Sequence, residues 1–217
     1  MNTYQRYANK VMGVAFIVAP LLLMIGAFAF LSGAGVSSYG VSSWVEGAFM
    51  SLAFLLFVPI YLGLARLLGQ NAPRLGILCA ILGVGIGFGI VPATDRILQV
   101  ALDQGGYDVP IFSVSHAGFT PILIYTALGL LLNPILLGLG FLRYGGVPRW
   151  SAVLILLAPL TFVVGQGGDE SIAAWQIRMV YPLATVIWFL ALAPIGWRLL
   201  NGSADDGLEV GGVQTAV

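Results

Sequence analysis

"VPIYLGLARLLGQNAPRLGI", residues Val58 to Ile77, closes one apolar run, breaks at Gln70 and Asn71, passes through Pro73-Arg74 and starts a second apolar run at Leu75. Proline suits the first turn of a helix, where its missing N–H would find no partner anyway. Arginine beside it belongs at a membrane boundary rather than in the hydrocarbon. The stretch therefore reads as the bend of a helical hairpin whose two arms cross a bilayer.

The pattern occurs again 75 residues later, in "NPILLGLGFLRYGGVPRWSA" from Asn133 to Ala152. At that offset Pro59 matches Pro134, Leu62-Gly63-Leu64 matches Leu137-Gly138-Leu139, and Pro73-Arg74 matches Pro148-Arg149. Self-similarity at a fixed period is the usual sign of a repeated unit. Both hairpins run the same way, which makes this a parallel repeat and not the inverted pair of several transporter folds.

Composition agrees with the hairpin. Of the 217 residues 59% are hydrophobic and 8% are charged, with a mean hydropathy of +0.98. Soluble domains carry about 25% charged residues. Six apolar stretches approach the roughly 20 residues that a helix needs to cross a bilayer. They fall near Met12–Leu31, Trp44–Leu68, Leu75–Ala93, Phe119–Leu142, Trp150–Gly165 and Met179–Leu199. The expected fold is an all-α integral membrane protein of six transmembrane helices in three hairpins, with helices two to five as the repeat. It occupies residues 1–200, and residues 201–217, rich in glycine and small or polar residues, are expected to be a disordered cytoplasmic tail. The first apolar run exceeds the 7–15 residues of a signal-peptide core, so it reads as a retained helix.

Basic residues set the expected orientation. With the N-terminus inside, Arg6, Lys10, Arg66, Arg74, Arg143, Arg149 and Arg198 lie on the cytoplasmic side, leaving Arg96 and Arg178 outside. Cytoplasmic loops carry the excess of Lys and Arg, so both termini are expected to face the cytoplasm, in a cytoplasmic (inner) membrane.

The candidate chemistry gathers at the outer end: Glu46 one turn into the second helix, Asp95-Arg96 closing the third, His116 before the fourth, and Glu170 with Arg178 around the start of the sixth. Charge is costly in a bilayer without a partner, so such groups are either interfacial or handle a ligand, ion or proton. Within the spans Asn133 stands out because it precedes Pro134; it either binds carbonyls that proline leaves unpaired or faces a cavity. Tyr61 and the other uncharged polar groups read as packing contacts between helices. The third span holds Gly83, Gly85, Gly87 and Gly89, two overlapping small-xxx-small frames open to two readings: packing within the chain, or a seam with a second copy or another membrane protein.

Other activities lack their residues. One histidine and one cysteine are too few for a bis-histidine haem or a His/Cys zinc site, so no metal or cofactor is expected. Lys10 is the sole lysine, which leaves no amine inside a span for a Schiff base. There is no phosphate-binding Gly-x-x-x-x-Gly-Lys-Ser/Thr loop, and no basic aromatic-studded face for nucleic acid. The expectation is a small-molecule, lipid or ion binding or permeation protein in the lipid bilayer, with a polar site near the outer face. The alternatives are a non-catalytic subunit of a membrane complex and an intramembrane enzyme that acts on a lipid or isoprenoid through carboxylates, so enzymatic activity stays open.

Overall fold

The computed structural model describes residues 3–36, 43–107, 120–166 and 179–201. His116, Glu170 and Arg178, and the tail beyond 201, lie outside the described residues. The described residues form six helices: α1 (Thr3–Leu31), α2 (Trp44–Asn71), α3 (Pro73–Gln104), α4 (Thr120–Tyr144), α5 (Arg149–Gln166) and α6 (Tyr181–Leu200). Five are long and apolar enough to span a membrane, and α5 is a shorter apolar helix. The fold is an all-α membrane bundle.

The chain closes on itself. Helix α1 packs between α2 and α6, α5 lies between α4 and α6, and α3 joins α2 to α4. Large side chains such as Phe16, Phe57, Tyr61, Phe141 and Trp188 point inward and are fully buried, while Leu52, Ile81, Ile124 and Leu190 are exposed. Apolar side chains outside as well as inside are what a bundle solvated by lipid tails requires.

Both anticipated hairpins form, and each has its Pro-Arg step at the same end of the bundle. Their bends differ. Pro73 sits in the first turn of α3 after the single residue Ala72. Between α4 and α5 the chain takes four residues, Gly145 to Pro148, with φ of 76° at Gly145 and 108° at Gly146, a region that L side chains rarely adopt. The Asn71 side-chain amide donates to Tyr144 O at 3.2 Å, tying one bend to the other.

The units also diverge in mid-helix. Gly85–Gly89 of α3 is wound as a 3₁₀ turn and Leu128–Leu132 of α4 as a π turn, whereas their partners at the 75-residue offset lie in regular helix. "RILQVALDQ" continues α3 to Gln104 rather than forming a separate interfacial helix.

Candidate functional site

The end opposite the Pro-Arg bends carries a buried ion pair. Ser43 caps α2: its Oγ accepts from Glu46 N at 3.2 Å and donates to Ala34 O at 2.7 Å, holding the end of α1 to the start of α2. A carboxylate in the first turn of a helix is also favoured by the helix dipole. The Glu46 side chain crosses to α3, where its Oε2 lies 3.3 Å from Arg96 Nε. Glu46 is 2% exposed and Arg96 13%. The guanidinium also donates through Nη1 to Pro92 O at 3.2 Å, a carbonyl on its own helix. Helices α2 and α3 approach closely here, since a Cβ on Gly47 would come within 2.6 Å of Ala93 O. Asp95, one residue before Arg96, is half-buried. Of the outer residues singled out above, the structure joins Glu46 to Arg96 across 50 residues of sequence.

A second region lies at mid-depth. Each helix contributes to one central chamber: Leu23 from α1, Phe54, Phe57 and Tyr61 from α2, Ile86 from α3, Leu130 from α4, Phe162 from α5 and Trp188 from α6. At about 1.5 Å per residue, Phe57 stands roughly 20 Å from the Asn71 end of α2, near the middle of that helix. The walls are aromatic. Phe57 meets Trp188 edge to face with ring centres 5.2 Å apart, and Tyr61 lies 6.2 Å from Trp188. These side chains close on one another and leave no space that a water molecule could occupy.

Two of the wall residues carry a buried polar atom without a hydrogen-bond partner among the described residues: the Tyr61 hydroxyl and the Trp188 indole N–H. Asn133, 0% exposed, has both amide atoms in the same condition. It therefore does not cap carbonyls near Pro134. Gly83 lies between the two polar residues: a Cβ there would come within 2.8 Å of Tyr61 Cβ and 3.1 Å of Asn133 Nδ2.

Both irregular turns border this chamber, Ile86 within the 3₁₀ turn and Leu130 within the π turn. They also touch each other. A Cβ on Gly85 would collide with Tyr125 O, and one on Gly129 would lie 2.5 Å from Ile86 N. Gly83, Gly85 and Gly89 are thus consumed by contacts within the chain, against Tyr61, Tyr125 and Phe54, and Gly87 faces Val58. Pairing with a second copy or another protein through this frame would have to displace α2 or α4.

Sequence reasoning placed Tyr61 among packing residues and passed over Trp188. An aromatic side chain in an apolar helix carries no mark of which way it faces, so neither signalled the chamber. The fold and its centre define a class of protein, an all-α membrane bundle closed around an aromatic centre. Compared with known protein families, curated proteins and solved structures, the chain matches none.

Proposed function

We propose that the protein binds a small, largely apolar molecule inside the membrane, with the midplane chamber as the site and the Glu46–Arg96 pair as a clasp holding α2 to α3 above it. The observation that carries this reading is the unpaired Tyr61 hydroxyl and Trp188 N–H in the wall of a chamber to which every helix contributes. Buried polar groups in native proteins are nearly always satisfied, and one left without a partner costs about 1–3 kcal/mol. The gaps are too narrow for water to supply the missing bonds, whereas a ligand that parts the side chains would supply them. A mostly apolar wall with a few convergent polar groups is the usual character of a small-molecule site.

The outer polar residues, first considered as a binding mouth, support this reading as structure. Glu46 and Arg96 satisfy each other, and breaking such a pair leaves an uncompensated charge. In the same proposal the protein sits in a cytoplasmic membrane with both termini inside, on the strength of the basic residues at the Pro-Arg end.

Native mass spectrometry of the protein extracted into nanodiscs tests the function. The expected result is a small molecule bound at one per chain that is lost on Trp188→Leu while the fold survives. A bound molecule that is retained in Trp188→Leu but lost in Glu46→Gln would return the site to the outer end.

A further inference from the structure

From the chemistry of the chamber we infer the class of its ligand: an uncharged molecule that dissolves in lipid and presents a hydrogen-bond acceptor, a carbonyl above all, on an apolar body. This rests on the chamber being the binding site and goes beyond it in naming what fits. The indole N–H of Trp188 is a donor only, so it calls for an acceptor, and the phenol of Tyr61, which donates or accepts, is also answered by one. No charged side chain is among the described wall residues. A charged ligand would have to leave water for that wall without a counter-ion, whereas an uncharged carbonyl gives up far less solvation. The aromatic rings of Phe57, Phe162 and Trp188 favour an apolar or flat body.

The packing of α4 points to the bilayer as the source. Between Thr120 and Ala127 only Thr126 is buried, and Leu123 and Ile124 are exposed to 44% and 56%. This half of α4 packs chiefly against the 3₁₀ turn of α3. It meets the rest of its helix at the π turn Leu128–Leu132, two residues before Pro134, which has no N–H to give to the helix. Leu130, a wall residue, belongs to the π turn that adjoins this exposed half of α4, and in this proposal a molecule dissolved in the bilayer reaches the centre by displacing that half-helix.

The test uses a full-length chain whose sole tryptophan is Trp188, made by changing Trp44, Trp150, Trp175 and Trp197 to phenylalanine, in nanodiscs. The probes are 2-undecanone, undecane, decanoate and 2-butanone. Emission of Trp188 reports the site, and native mass spectrometry counts bound probe independently. The expected result is saturable binding of 2-undecanone that shifts Trp188 emission and weakens about tenfold in Tyr61→Phe, the loss of one hydrogen bond. Undecane, decanoate and 2-butanone should bind far more weakly. Equal binding of undecane, with no effect of Tyr61→Phe, would overturn the acceptor class and leave the chamber as a plain apolar site. Preference for decanoate would overturn the uncharged class, and binding of 2-butanone as tight as the long ketone would overturn the lipid source. If no probe binds or shifts Trp188, the chamber reading falls together with this one. Trp188→Phe, followed by mass spectrometry alone, provides a second conservative variant should Tyr61→Phe fail to fold.

Discussion

Arg96 and Glu46 show how a charge can be housed at a membrane edge. The carboxylate is nearly inaccessible, and its ion pair with Arg96 depends on α2 and α3 meeting near Gly47. Arg96→Gln should therefore destabilise the bundle by about 2–3 kcal/mol, somewhat below the cost of a wholly buried pair because the guanidinium keeps some exposure. The double variant Glu46→Gln with Arg96→Gln should recover most of that loss, since no lone charge remains. Thermal unfolding in detergent of both singles and the double closes the cycle. A double variant as unstable as the sum of its parts would show that the two residues act separately. The sequence contained both charges, but their partnership spans two helices and depends on a helix crossing that no local pattern encodes. Tyr61 and Trp188 were less visible still, being two aromatic residues in a chain that is 12% aromatic.

At the level of the element, the crossing of α3 and α4 decides the shape of the centre. Alanine for glycine in a helix ordinarily gains about 0.5–1 kcal/mol, so the surroundings set the sign of each substitution. A Cβ at position 129 meets the backbone of Gly85 and Ile86 at 2.8 and 2.5 Å, whereas at Gly69 the nearest atom is Gly76 Cα at 3.8 Å. Gly129→Ala should lower the unfolding temperature by several degrees and disturb the environment of Trp188, while Gly69→Ala should be neutral or slightly stabilising. The paired measurement is thermal unfolding with tryptophan emission, and equal effects at the two positions would mean that α3 and α4 do not cross by their backbones. Helix positions were legible because hydropathy and the Pro-Arg steps mark ends: Trp44 opens α2 and Pro73 opens α3 where the sequence puts them. The 3₁₀ and π turns were not. They sit where two helices come into backbone contact, a tertiary feature, and the 75-residue similarity that suggested equivalent hairpins gives no warning of turns present in one unit alone.

The whole molecule is a belt of exposed apolar side chains between two rims. Trp44 at one end and Trp150 and Trp197 at the other are 48%, 49% and 63% exposed, the placement of aromatic anchors at the two membrane–water boundaries. Arg66, Arg74, Arg143 and Arg149 lie towards the rim with Trp150 and Trp197, and the orientation proposed above puts that rim at the cytoplasmic side. The chain lends itself to a direct test because its one cysteine, Cys79, is 0% exposed and should not react with a water-soluble maleimide. Single cysteines introduced at the exposed positions Ser32 and Tyr107 should label on intact cells, since both lie beyond the helix ends on the Glu46 side. Cysteines at Gln70 and Asn201, exposed at the Pro-Arg end, should label only after the membrane is opened. The reverse pattern would turn the bundle over, placing the Glu46–Arg96 clasp towards the cytoplasm while leaving the chamber at the same depth. Labelling of all four from one side would be fatal to the six-helix crossing itself, because Ser32 and Gln70 are separated by the full length of α2, about 40 Å at 1.5 Å per residue.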